Sequence, residues 1–164
     1  MKAVIMAGGR GTRISLYKPF LNVCGKPLIA WAYDSVKNIA NEIYLAINPN
    51  HLLFNIFKNS MFKIFYTNDK NYVDDLALVV RTLGTPILIL PVDVALITDE
   101  IVLELIKRCE KDICTMKYGN EYLGISYWRG NNFENYADIV ISKKIYNINT
   151  WNDYNKANKE CNLY

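Results

Sequence analysis

Glycines at 8, 9 and 11 stand beside Arg13 and Lys18 in the run Met6-Ala7-Gly8-Gly9-Arg10-Gly11-Thr12-Arg13, directly after a short apolar stretch. Glycine admits backbone angles closed to other residues and lets a polyphosphate come close to backbone N–H groups, which form a neutral anion cradle. Arg13 and Lys18 add mobile positive charge. At ~4 Å and an effective dielectric near 20, each is worth roughly 4 kcal/mol of attraction before desolvation. Two rival phosphate motifs fail. Gly25-Lys26 has Phe20 where a Walker loop needs its first glycine and Pro27 where it needs Ser or Thr. A dinucleotide fingerprint built on Gly9 and Gly11 needs glycine at position 14, where Ile14 stands, and its second strand would end in an acid instead of Asn48. An anion site is favoured over a ligand-free turn.

The other candidates are oxygen donors. Asp93 ends the apolar run Ile87 to Val92, where a carboxylate is costly unless it has a partner. It suits a hard cation such as Mg²⁺, which uses one or two carboxylates plus phosphates and water. Asn147 and Asn149 are two apart, hence on one face of an extended segment. They either ligate a metal or hold an acceptor, or they serve the turn into the last helix. Asp74 and Asp75 read first as acids in the first turn of a helix, favoured by its dipole. His51 reads as a capping or surface residue. Trp31, Tyr127 and Trp128 read as core.

Composition removes further chemistry. His51 is the only histidine, which excludes His-pair metal sites and multi-histidine relays. A net charge of +3 is too small for a protein that coats nucleic acid. Cys24, Cys109, Cys114 and Cys161 match neither a zinc ribbon nor a dense secreted disulfide scaffold, and read as reduced thiols of a cytoplasmic protein. No targeting signal is visible, and the most apolar stretch, Pro86 to Ile97, is too short to span a membrane.

These groups need a frame, and 164 residues suit one compact domain, taken as residues 1–164. Ala3 to Met6, Glu42 to Ile47, Phe62 to Tyr66 and Pro86 to Leu90 have the length and composition of buried strands. Between them, Leu28 to Ala40 and Tyr72 to Leu83 have helical spacing, with Leu76, Val79, Val80 and Leu83 at i, i+3, i+4 and i+7. A further helix carries Ile101, Leu105 and Ile106, with Thr98 as its N-cap. This alternation predicts an α/β fold: a mainly parallel central sheet covered by helices on both faces. Asp112 to Tyr118, Tyr122 to Trp128 and Asp138 to Ile148 read as strands of a mixed edge, and Thr150 to Lys159 as a last helix with a T-x-x-D capping box.

The motif from Met6 to Arg13, followed by Lys18-Pro19 and Gly25-Lys26-Pro27-Leu28-Ile29, resembles the opening signature of the nucleotidyltransferase superfamily, in its molybdopterin-guanylyltransferase-like branch. Farther on, Thr67 through Tyr72-Val73-Asp74-Asp75-Leu76, then Pro91-Val92-Asp93 and Asn147-Ile148-Asn149-Thr150, resemble the archaeal GTP:adenosylcobinamide-phosphate guanylyltransferases. The resemblance implies a three-layer, Rossmann-like fold and transfer of GMP from GTP to adenosylcobinamide phosphate, with release of pyrophosphate. By position, it assigns Met6, Ala7, Gly8, Gly9, Gly11, Thr12 and Arg13 to the nucleotide, Lys18 to its phosphates and Asn48 to the side of the nucleoside. Asp93 and Asn149 would hold Mg²⁺, and Arg13, Lys18 and Asp93 would form the catalytic set. Molybdopterin or a sugar phosphate as acceptor, and a nucleotide-binding module without turnover, are the competing readings. Monomer and homodimer both remain compatible. Asn71 replaces the glycine usual in these relatives, Val94-Ala95 replaces Leu-Pro, and the segment from Lys117 to Ile145 is short.

Overall fold

The structure is a computed structural model that describes residues 1–9, 14–68 and 70–163. Strand β1 (Lys2–Met6) leads to a 3-10 turn at Lys18–Phe20, a hairpin of β2 (Asn22–Val23) and β3 (Lys26–Pro27), and helix α1 (Leu28–Val36). Next come β4 (Glu42–Ile47), α2 (Phe54–Lys58), β5 (Lys63–Tyr66), α3 (Tyr72–Leu83), β6 (Ile87–Pro91), β7 (Val94–Ala95) and α4 (Asp99–Arg108). The chain continues through β8 (Ile113–Tyr118), β9 (Glu121–Trp128), β10 (Tyr136–Ile141), β11 (Tyr146–Asn147) and α5 (Trp151–Asn158).

A seven-stranded sheet runs β10-β8-β9-β6-β1-β4-β5. Its strands pair in parallel except at β9, which is antiparallel to both β6 and β8. The reversal thus falls inside the sheet, while the outermost strand β10 is parallel to its neighbour. Alternation along the central strands sorts the core into two layers. Ala3, Ile5, Leu88 and Leu90 pack with Leu28, Trp31, Phe57 and Leu105, so α1, α2 and α4 cover one face. Val4, Met6, Ile87 and Ile89 pack with Val79 and Val80, so α3 covers the other, with Leu76 and Leu83 at its margin. Central strands apolar on both sides are what a doubly covered parallel sheet requires.

Several expectations change in detail. α1 stops at Val36, whose carbonyl accepts from both Ile39 and Ala40 N–H groups in a closing turn. The run read as one strand over 138–148 divides into β10 and β11, and β11 leaves the main sheet to pair antiparallel with β7. The hairpin β2–β3 turns on Cys24 (φ 52°) and Gly25 (φ 75°). Two successive positive φ values fit the tight turns that match strand twist, and glycine takes one of them without penalty. Thr98 flanks α4 at the N-cap position but its side chain makes no cap bond; Asp99 accepts the Glu100 N–H instead, at 2.9 Å. The Thr150–Asp153 capping box forms as expected.

The four cysteines are not free thiols. Cys24 is bonded to Cys161 and Cys109 to Cys114. The first pair meets because the end of α5 packs on the hairpin, where Asn158 accepts the Cys24 N–H at 3.0 Å. The second brackets the passage from α4 to β8. Among the described residues, no helix is long and apolar enough to cross a membrane.

Candidate functional site

At the carboxyl end of β1, ladder-like bonding continues one residue past the strand: the Ala7 N–H donates to the Ala46 carbonyl at 2.9 Å and the Val92 N–H to the Met6 carbonyl at 3.2 Å. Beyond that point Gly8 and Gly9 line a cavity of about 330 Å³, walled also by residues after β5 and β6 and by the start of α3. Its position, outside the carboxyl ends of parallel strands, is where open α/β sheets take ligands. His51 steadies the turn. Its Nδ1 accepts the Leu53 N–H at 3.1 Å, so the neutral ring carries its proton on Nε2 and donates it to the Gly9 carbonyl at 3.0 Å. His51 bonds the Leu53 N–H in the turn before α2 without capping that helix, and its contact with the glycine turn, 42 residues away, has no signal in spacing.

Lys18 begins the 3-10 turn, and its side chain is 11% exposed. The ammonium donates to Asp93 Oδ2 at 2.7 Å and to Asn149 Oδ1 at 3.0 Å. Three residues singled out separately in the sequence therefore meet, and two of them, Lys18 and Asp93, line the cavity. Asp93 is the second residue after β6 ends at Pro91. Asn149 arrives by way of the β7–β11 ribbon, which the Ile148 N–H extends by donating to the Asp93 carbonyl at 2.9 Å. The carboxylate of Asp153 then accepts the Asn149 and Thr150 N–H groups at 3.1 and 2.8 Å. The replacement Val94-Ala95 thus supplies the strand that delivers Asn149 to Asp93.

Asn147 does not join this cluster: its Nδ2 donates to the Tyr122 carbonyl at 3.4 Å, and among the described residues its buried Oδ1 has no partner. Asn48 is 7% exposed, donating to the Thr67 carbonyl at 3.1 Å and accepting the Asn50 N–H at 2.7 Å. It ties the loops after β4 and β5 and does not itself line the cavity. Gly11, Thr12 and Arg13 lie outside the described residues.

Asn71, where relatives carry glycine, is extended and accepts the Asp74 N–H at 2.9 Å, so it caps α3. Asp74 returns the bond by accepting from Asn71 Nδ2 at 2.7 Å, the helix-start role expected of it. Asp75 shares that first turn but is 8% exposed and lines the cavity, as do Thr67 and Tyr72. Tyr72 is 49% exposed as a residue, but desolvation around its phenol, and then the nearby Asp93 charge, push the phenol pKa up.

The donor set fits Mg²⁺. Asp93 and Asn149 already converge on one cation, the Lys18 ammonium, with two hard oxygens. Among the described residues no cluster of three or more His, Cys, Asp or Glu forms an all-protein cage. Such an ion would complete its shell with substrate phosphates and water, as Mg²⁺ does.

A mainly parallel sheet with a glycine turn, a buried lysine and an acid just beyond the neighbouring strand fits the class of nucleotide-handling α/β transferases. The chain belongs to the MobA-like NTP transferase domain family, whose model matches residues 3–148. It is 31% identical over 110 residues to an adenosylcobinamide-phosphate guanylyltransferase of Methanocaldococcus jannaschii, covering 62% of this chain and 56% of that protein. The match thus spans about half the length of that relative. In fold it resembles the molybdopterin-guanine dinucleotide biosynthesis protein A of Archaeoglobus fulgidus, with a TM-score of 0.75, 16% identity and full coverage of both chains. A nucleotidyl transferase from Methanothermobacter thermautotroptrophicus gives a TM-score of 0.74 at 13% identity, over 99% of this chain and 97% of that one.

Proposed function

We propose that this chain, read as one domain, transfers GMP from GTP to a phosphorylated small-molecule acceptor, with adenosylcobinamide phosphate as the first choice. The observation that carries this reading is the Lys18 ammonium held between Asp93 and Asn149 beside the Gly8–Gly9 turn. An acceptor phosphate oxygen attacks the α-phosphorus in line; the bond to the bridging oxygen breaks, and pyrophosphate leaves. No covalent protein nucleophile takes part, so rate comes from positioning and charge. The glycine turn, with Gly11, Thr12 and Arg13, cradles the nucleotide. Lys18 turns from Asp93 toward the phosphates, where its charge counts most once water is excluded. Asp93 and Asn149, released from the ammonium, are the oxygens that would hold Mg²⁺. When bound, Mg²⁺ offsets negative charge on the reacting and leaving phosphates.

Names of relatives support the acceptor class, and a panel tests it. Pyrophosphate release from GTP is measured with adenosylcobinamide phosphate, molybdopterin and sugar 1-phosphates. Release with the cobinamide acceptor is the expected result; release with sugar 1-phosphates alone would replace that acceptor.

A further inference from the structure

The helix dipole accounts for an acid in the first turn of α3, and Asp74 already serves there on the exposed side. Asp75 is different. It is 8% exposed in the cavity wall, and among the described residues its carboxylate takes one hydrogen bond, from the Asn68 N–H at 3.2 Å. Its Oδ2 lies 3.9 Å from the point a Cβ on Gly8 would occupy, so it faces the glycine turn. A carboxylate this buried with one long donor is short of partners, which is costly in a ligand-free protein. Thr67 in the same wall is 3% exposed, and among the described residues its hydroxyl has no partner. The two unmet polar groups share the cavity, and Asn68 links them along the chain.

We infer that Asp75 reads the base of the nucleotide and selects guanine, with Thr67 as the neighbouring polar contact; this rests on the nucleotide-transfer reading above. Guanine presents two adjacent donors, N1–H and the N2 amino group, and an ionised carboxylate is an acceptor-only group with two oxygens to meet them. Adenine and cytosine set a ring-nitrogen lone pair beside their amino group, so one carboxylate oxygen would face a lone pair. Uracil offers one N3–H between two carbonyls. A site built to pair a donor rejects an analogue that lacks it, because the buried group is left unmet.

The test uses the full chain with magnesium and measures affinities for GTP, ITP, ATP and inorganic tripolyphosphate by calorimetry. ITP lacks the N2 amino group, and tripolyphosphate has no base. Wild type is expected to bind GTP tightest and ITP about tenfold more weakly, as for loss of one half of a bidentate contact. ATP should be weaker still. Asp75→Asn should lose about tenfold or more on GTP, leaving tripolyphosphate binding unchanged. Equal wild-type affinity for GTP, ITP and ATP would overturn the inference without recourse to any variant. A parallel loss of GTP and ATP in Asp75→Asn would overturn it too, moving the carboxylate to the sugar. So would an unaltered GTP preference in that variant, while leaving the transferase reading intact. Failure of wild type to bind any nucleoside triphosphate would instead defeat that reading, and this inference with it.

Discussion

Two lysine–aspartate pairs look alike in distance and differ in surroundings. Lys18–Asp93 closes at 2.7 Å and Lys26–Asp34 at 2.9 Å. Side-chain exposure separates them: 11% and 23% for the first, 36% and 32% for the second. Surroundings separate them further. Lys18 is shared with an amide oxygen of Asn149 beside the glycine turn, whereas Lys26 lies 4.3 Å over the Trp31 ring, and Asp34 also takes Lys37 at 2.7 Å. The first pair is a cation between two oxygens, which the proposed function would exchange for a phosphate and a metal ion; the second pegs the β2–β3 hairpin to α1. Both lysines belong to the stretches that resemble the nucleotidyltransferase signature, so a motif match does not by itself make a lysine a phosphate ligand.

The sharpest way to break this contrast is to neutralise each acid. Asp93→Asn is expected to lower GMP transfer by about 10²–10³-fold, the usual size for loss of one charge-stabilising group, with GTP affinity nearly kept. Steady-state kinetics with separate binding measurements read the split. Wild-type turnover would remove Asp93 from the chemistry. Lys18→Ala should act the other way, weakening GTP and tripolyphosphate together by about tenfold or more, since a partly buried charge facing phosphate is lost. The same change at Lys26 should leave both affinities as they are.

Next in size is the staple beside the second pair. The Cys24–Cys161 bond closes a sequence separation of 137 residues around the hairpin and α5. Cys24→Ser with Cys161→Ser should cost about 2–4 kcal/mol of stability through a freer unfolded chain. Urea melts measure it. Because Asn149 is held by the ribbon and the Asp153 cap at the other end of α5, GTP affinity should fall far less than stability. A matching collapse of both would mean that the two regions are one mechanical unit.

The sequence made the frame legible because burial imposes period. Val4 to Met6 and Ile87 to Leu90 can only be covered strands, and Val79 with Val80 can only face them. Lys18 stands out as a charge near the glycine run, Asp93 as an acid at the end of an apolar run and Asn149 as one of two amides on one face, yet their meeting is not legible. It depends on β11 leaving the main sheet for β7, a pairing of two residues with two that carries no periodic signal. Asp75 was hidden for a different reason: two adjacent acids at a helix start look identical in sequence, and a 100° turn of the helix separates the exposed acid, bonded to the Asn71 cap, from the buried one. The disulfides escaped notice because Cys24 and Cys161 meet through packing of α5 on the hairpin, and no spacing rule sees that.

The smallest effect is the most specific check on the second pair. Burial pushes the Asp34 pKa up, but hydrogen bonds from Lys37 and Lys26, with their charges, bring it below its ordinary value overall. A carboxyl with a depressed folded pKa binds fewer protons when folded than when unfolded, so its contribution to stability rises with pH across that interval. That contribution is present above the unfolded carboxylate's pKa of about 4 and disappears as pH falls through the lower folded value. With the pair a third exposed, solvent screening limits it to about 0.2–1 kcal/mol. Urea midpoints of wild type and Asp34→Asn should therefore differ slightly at neutral pH and converge in acid below the ordinary aspartate range. A gap that persists there would mean that Asp34 acts through packing and not through charge, and the likeness between the two pairs would then end at geometry.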